Sequence, residues 1–134
     1  MRLKFKLVLI VLIIMLSCTE RQNENYIWKE LEVKSSAYNS VRSQTDGKPS
    51  LAAWGDTLKP GMKCIAVSRN LIALGLDHDT QVKIEGLSGI YLVKDKMNAR
   101  YRNRIDIYMG TDVNRAKEWG QKKLKIEYAV AKKK

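Results

Sequence analysis

Short strand-like segments separated by turn signals are the sequence feature that most constrains the fold of this 134-residue chain. From Val33 onward, apolar and β-branched residues recur in short runs, and "DGKP" and "LKPG" supply turns between two of them. The pattern predicts six strands, near 33–42, 63–67, 80–85, 89–94, 104–109 and 122–130. Six short strands in about 100 residues are typical of a small closed all-β barrel with one modest core.

Two helical segments are predicted between these strands. The sequence "SRNLIALG" (68–75) indicates a single helical turn. The sequence "DVNRAKEWG" (112–120) predicts a short helix that directly precedes the last strand. Asp112 is a suitable N-cap for this helix, and Gly120 is a suitable C-terminal stop.

The first 17 residues have the features of a signal peptide. Three basic residues precede an unbroken apolar run from Leu7 to Leu16, which is too short to span a membrane as a helix. The run ends in "IMLSC", which resembles a bacterial lipobox and makes Cys18 the predicted site of lipidation. The alternative is an ordinary secretory signal in which Cys18 has no role. Lipidation would anchor the protein to a membrane of the bacterial cell envelope, facing the periplasm, with the outer membrane as the expected location.

The remaining chain divides into three parts. Residues 18–32 begin as a polar tether, which is expected to become ordered near Tyr26–Trp28 as a short helix. The barrel domain is predicted over 33–131, and the basic residues 132–134 form a solvated tail.

Charge and composition limit the partners. The 25 basic residues of the chain fall to 22 without the leader, against 14 acidic ones, for a net charge of +8. An exported cationic protein favours anionic partners such as cell-wall polymers or lipid head groups, and the export signal argues against nucleic acid. Cys64 is predicted to be a buried thiol with no disulfide partner. "DHD" (77–79) is read as a solvated loop, with a metal site as the weaker alternative, and no cofactor is predicted.

One carboxylate stands in an otherwise apolar strand, "RIDIY". Strand alternation places Asp106 on the face opposite Ile105 and Ile107, and on the same face as Tyr108. A carboxyl group with a raised pKa in a partly apolar groove can protonate a glycosidic oxygen and then accept a proton from a hydroxyl of the same substrate. The alternative is a structural carboxylate that accepts hydrogen bonds from backbone amides.

A second carboxylate lies eleven positions earlier. Asp95 would converge with Asp106 if their two strands were neighbours, and a nearby like charge would raise the pKa of one of them. Alternatively, Asp95 caps a turn or pairs with one of three arginines. These arginines are Arg100, Arg102 and Arg104.

Several motifs in this order resemble the 3D (three-aspartate) domain. They are "YNS…TDGKPSLAAWGDTLKPGMKCIAVSRNLIALG", "VKDKM" and "RIDIYMG…AKEWGQKKLKI". That family belongs with the double-psi β-barrels of membrane-bound lytic transglycosylase A and RlpA-like proteins. The resemblance covers roughly 38–128 and implies a six-stranded double-psi barrel. It also implies cleavage of the MurNAc–GlcNAc bond of peptidoglycan without water, which leaves a 1,6-anhydro sugar.

The resemblance assigns roles to individual residues. Asp106 matches the essential acid/base of the family, and Asp95 matches a second family aspartate. Ser68 stands where the family has its first aspartate, and "DKMN" stands where it usually has "DTGG". These two departures favour an alternative function, a non-catalytic barrel that binds glycan strands or an envelope partner.

Aromatic side chains are candidates for stacking on sugar rings. Tyr108, Trp54 and Tyr38 are the predicted substrate-binding residues, although each is also a plausible core residue. The sequence therefore predicts a monomeric envelope lipoprotein that acts on peptidoglycan strands, with Asp106 and Asp95 as its catalytic carboxylates.

Overall fold

In the part of the chain that the structure describes, six strands form a closed barrel and two short helices accompany them. A computed structural model describes residues 25–41 and 50–133. The strands are β1 (Tyr26–Tyr38), β2 (Cys64–Val67), β3 (Gln81–Ile84), β4 (Tyr91–Lys96), β5 (Arg104–Tyr108) and β6 (Lys122–Ala131). The helices are α1 (Arg69–Ile72) and α2 (Val113–Trp119). The predicted small all-β barrel of six strands is confirmed. The predicted leader and the lipidation site Cys18 lie outside the described residues.

The barrel mixes parallel and antiparallel pairing. Its strands are ordered β1-β5-β2-β4-β3-β6, and β6 closes the circle on β1. β1 runs parallel to β5, and β2 runs parallel to β4, whereas the other four pairs are antiparallel. Parallel neighbours cannot be joined by a tight hairpin, and here other strands lie between them in the sequence. Strands that are distant in sequence therefore become neighbours.

β1 begins earlier than the sequence predicted. It starts at Tyr26 rather than near 33, and the short helix expected near Tyr26–Trp28 is wrong. Residues 26–32 are mostly exposed, which hides them from a search for apolar strands, but they form a continuous antiparallel ladder with β6. The backbone hydrogen bonds of that ladder, rather than a buried face, account for the extended conformation.

Both helices lie where the sequence placed them. The Asp112 carboxylate accepts a hydrogen bond from the Arg115 backbone amide at 3.0 Å, which confirms it as the N-cap of α2. Gly120 ends α2 with a φ of 64°, a conformation in which glycine is unstrained. The Trp119 indole then donates to the hydroxyl of buried Ser35 at 2.8 Å, which ties α2 to β1.

Apolar side chains occupy both sides of the barrel wall. The inward side chains of β2 and β5 form part of the main core, with Ile65, Val67, Ile105 and Ile107 at most 1% exposed. A second, smaller cluster lies on the outer side, where segment 50–62 packs over Cys64 and Tyr108. This covering segment determines which outward-facing side chains remain accessible, and it forms one border of the candidate site.

Candidate functional site

Four side chains form a row across the outer face of four neighbouring strands. Ser36 of β1 is in register with Asp106 of β5, and Asp106 is in register with Ala66 of β2. Ala66 is in turn in register with Asp95 of β4. The two carboxylates therefore flank the small side chain of Ala66. Adjacent strands lie about 4.8 Å apart, so the backbones of Asp106 and Asp95 are separated by about 10 Å.

Asp106 is partly buried, and one side chain among residues 25–41 and 50–133 donates a hydrogen bond to it. The Ser36 hydroxyl donates to its Oδ1 at 3.0 Å. Burial raises the pKa of Asp106 to about 6, although the Ser36 hydrogen bond and the charge of Arg104 both oppose the rise. The negative charge of Asp95 adds a smaller upward contribution. Within the described residues, no backbone amide donates to Asp106, so the alternative of an amide-bound structural carboxylate has no support there.

Asp95 is the carboxylate that binds backbone amides. Its Oδ1 accepts from the Ala53 amide at 2.7 Å and from the Lys96 amide at 2.8 Å. Burial raises the pKa of Asp95, against the lowering effect of these two hydrogen bonds. None of the three arginines considered as partners forms an ion pair with it among the residues that the structure describes. Asp95 fastens segment 50–62 to β4.

The strands of the two acids are not neighbours, because β2 lies between them. Asp95 and Asp106 were expected to converge only if their strands were neighbours, and in the barrel they are not. A register shift between Ile65 and Ala66 nevertheless brings Asp95, and not Lys94, opposite Ala66. Irregularities of this kind re-aim a side chain, and they are frequent beside functional sites.

Tyr38 and Tyr108 lie on the same face, two residues beyond Ser36 and Asp106 along their strands. Their rings contact each other with centroids 5.5 Å apart, and the Tyr108 hydroxyl is hydrogen-bonded to Ser40 at 2.8 Å. Tyr108 is only 3% exposed, so it offers no free ring face for stacking. Burial, and secondarily the charge of Asp95, raises the pKa of Tyr38, whose hydroxyl has no hydrogen-bond partner in the described part of the chain.

Trp54, the third predicted substrate-binding residue, is half-buried in segment 50–62. Its ring lies against the imidazole of His78, with centroids 5.2 Å apart, and the Lys96 ammonium is 4.6 Å from its centroid. The preceding residue is Ala53, whose amide is bound by Asp95. The structure thus places Trp54 close to Asp95 along the chain, held by contacts from two other segments.

An ion-pair network adjoins Trp54. His78 Nε2 is 2.6 Å from Asp56 Oδ2, and the Lys94 ammonium contacts both Asp56 and Asp79. These contacts lower the pKa of Asp56, foremost through Lys94, and raise the pKa of Lys94, foremost through Asp79. Among the described residues, no group of three His, Cys, Asp or Glu side chains is arranged to hold a metal ion. The "DHD" sequence instead serves an exposed polar network.

Two further positions singled out by the sequence have structural roles. Cys64 is buried, as predicted, and burial raises its pKa to about 12. Ser68 is fully buried, and its hydroxyl accepts from the Arg104 amide and donates to Asn70, both at 2.9 Å. Ser68 therefore joins the start of α1 to the start of β5, two residues before Asp106.

The sequence did not point to Ser36 or Ala53. Ser36 contacts Asp106 across 70 positions of the chain, through a parallel pairing that no local pattern indicates. Its alternation with Tyr38 on the outward face of β1 was the one available signal. Ala53 contributes a backbone amide, which its side-chain type cannot reveal.

Comparison with known proteins adds no assignment. No protein-family model matches the chain, and no curated protein sequence matches it either. In the described ranges, no helix is both long enough and apolar enough to cross a membrane.

The fold and the site together define a small closed barrel that carries an outward-facing carboxylate, Asp106, whose pKa is raised.

Proposed function

We propose that this protein is a cell-envelope enzyme that cleaves the MurNAc–GlcNAc bond of peptidoglycan by lytic transglycosylation, with Asp106 as its general acid and base. The observation that carries the proposal is the state of Asp106, whose pKa is raised to about 6 on the outer face of the barrel. A general acid that later acts as a base works best with a pKa near the ambient pH. At pH 7 about a tenth of such carboxyl groups carry a proton, and at pH 6 about half do.

The reaction needs one carboxyl group, used twice. Protonated Asp106 donates its proton to the glycosidic oxygen while the bond from that oxygen to the anomeric carbon of MurNAc breaks. The resulting Asp106 carboxylate then accepts the proton of the MurNAc 6-hydroxyl, whose oxygen bonds to the same anomeric carbon. The nucleophile belongs to the substrate, so the step is intramolecular and requires no second protein carboxylate.

Supporting roles follow from the contacts of Asp106 and Asp95. Ser36 orients the Asp106 carboxyl group and stabilises the carboxylate that forms after proton donation. β2 separates the strand of Asp95 from the strand of Asp106, and both hydrogen bonds to Asp95 Oδ1 come from backbone amides. The proposed role of Asp95 is positional, because it fixes the backbone beside Trp54 and adds negative charge that favours protonated Asp106. Lipidation of Cys18 would hold the enzyme next to the cell wall.

The test is incubation of the purified full-length protein with isolated sacculi, followed by mass spectrometry of the soluble products. We expect anhydro-muropeptides from the wild-type protein and none from Asp106→Asn. Asp112→Asn is the matched control, because asparagine is also a good N-cap and the charge change is the same. Equal product formation by Asp106→Asn and wild type would refute the assignment of the acid.

A second candidate function is non-catalytic binding of glycan strands. It is favoured by the burial of Tyr108 and by the use of Asp95 Oδ1 in two backbone hydrogen bonds. The same assay separates the two functions. A wild-type protein that sediments with sacculi and releases no anhydro products is a binding protein.

A further inference from the structure

A basic hollow lies one pleat away from Asp106 on the outer face of the barrel. Its volume is about 330 Å³. It is lined by Glu32, Val33, Lys34, Arg102, Asn103 and Lys123. We propose that this basic hollow binds carboxylate groups of the peptide arm that peptidoglycan strands carry. The inference deepens the proposed function, on which it rests, by naming peptide-bearing glycan as the preferred substrate.

The hollow carries an unbalanced positive charge. Three of its side chains are cationic, against the single carboxylate of Glu32. Within the described residues, Lys34, Arg102 and Lys123 form no ion pair, although the chain uses its acidic residues for pairs elsewhere. Their charges therefore remain available to an external anion.

The strand register makes this arrangement costly for the free protein. Lys34 of β1 lies directly opposite Lys123 of β6 and directly opposite Arg104 of β5. Like charges at directly opposite positions of a sheet destabilise the pairing. Of these opposed cations, Lys34 and Lys123 both line the hollow, so an anion bound there would relieve their repulsion.

The position of the hollow links it to the candidate acid. Lys34 precedes Ser36 by two residues, and Arg104 precedes Asp106 by two residues, so the two rows share one face. Two residues of strand span about 7 Å. A sugar ring bound at Asp106 would bring a substituent of that ring within reach of the hollow. In peptidoglycan the MurNAc ring carries a peptide arm with free carboxylates, and arginine and lysine bind carboxylates through charge-assisted hydrogen bonds.

The experiment compares the binding of full-length protein to two glycan preparations. One preparation consists of peptide-bearing strands. The other consists of strands from which an amidase has removed the peptides and in which the lactyl carboxylates exposed by that cleavage have been converted to neutral amides. Lysine-to-glutamine changes at Lys34 and Lys123 together remove two charges from the hollow. The matched control makes the same change at Lys59 and Lys132, which are exposed and lie outside the hollow.

We expect the double variant of the hollow to bind peptide-bearing strands about tenfold more weakly and peptide-free strands with unchanged affinity. The control variant should match wild type on both. The hollow variant should unfold at the same temperature as wild type or at a higher one, because the opposed charges are gone. Equal weakening on both preparations, or equal weakening in the control, would overturn the inference. A wild-type protein that binds neither preparation would instead refute the proposed function.

Discussion

Replacing Asp106 by asparagine should stabilise the folded protein at neutral pH. Folding raises the pKa of this carboxyl group from 3.8 to about 6, foremost through burial. Each pH unit of such a difference corresponds to about 1.4 kcal/mol, so the ionised carboxylate costs the fold about 3 kcal/mol. Partial exposure lets water screen the charge, and the expected gain from the substitution is therefore roughly 1–3 kcal/mol.

The sign of the effect depends on pH in a defined way. The folded state holds the Asp106 proton more tightly than the unfolded state, so its contribution to stability is fully present below about pH 4. This contribution is lost as the pH rises through about 6. The asparagine variant carries no such proton. The variant and wild type should therefore differ least near pH 3.5 and most above pH 7.

Urea unfolding of both proteins between pH 3.5 and pH 8 measures the difference directly. Asp112→Asn serves as the control for an Asp-to-Asn change outside the row of four side chains. A gain in the free energy of unfolding that appears between pH 4 and pH 7 supports the argument. The reasoning would be refuted by an Asp106→Asn variant that is less stable than wild type at pH 8. It would also be refuted if the difference in free energy of unfolding between the two proteins did not vary with pH.

Three further predictions concern neighbouring features. Ser36→Ala should raise the pKa of Asp106 further above 6, because it removes a hydrogen bond to the carboxylate worth roughly 1.5–3 kcal/mol. A carbon-13 NMR titration of the Asp106 carboxyl group measures the pKa, and an unchanged midpoint would contradict this prediction. Gly110→Ala should lower stability by roughly 1–3 kcal/mol in urea unfolding, because the new Cβ would lie 3.1 Å from the Pro60 backbone at a positive φ. Gly55 also has a positive φ but open space at its Cβ, so Gly55→Ala measures the backbone cost without the contact, and a Gly110→Ala variant as stable as wild type would contradict the argument. Cys64 should resist alkylation by iodoacetamide at pH 8 until urea unfolds the chain, because burial raises the pKa of its thiol to about 12. Rapid alkylation of Cys64 in the folded protein would contradict its burial.

Local patterns predicted most of the fold. Runs of β-branched residues located β2 to β6 to within a few residues, because each of these strands buries part of its surface in the core. The alternation around Asp106 was also predicted correctly, since Ile105 and Ile107 are buried and the acid faces outward. The first residues of β1 were not predicted as a strand, because they are mostly exposed and pair with β6 through backbone hydrogen bonds.

The candidate site was harder to predict because its geometry depends on pairing. The barrel order places β2 between the strands of Asp95 and Asp106, and local propensity does not encode this order. Tyr108 has the predicted orientation, but segment 50–62 covers it. The sequence left Asp95 with two roles, beside Asp106 or in a local structural contact, and its hydrogen bond from the Ala53 amide depends on a segment 42 residues earlier. These outcomes depend on contacts between distant segments.

The position of β1 in the barrel also constrains how the protein can fold. Both neighbours of β1, β5 and β6, come from the C-terminal part of the chain, so its edges stay unpaired until that part has been synthesised. Contacts between such distant residues fold slowly, and unpaired strand edges promote aggregation in the meantime. Removal of β6 would leave two open strand edges in place of a closed wall. The wall of this barrel is thus complete only when β6 is in place between β1 and β3.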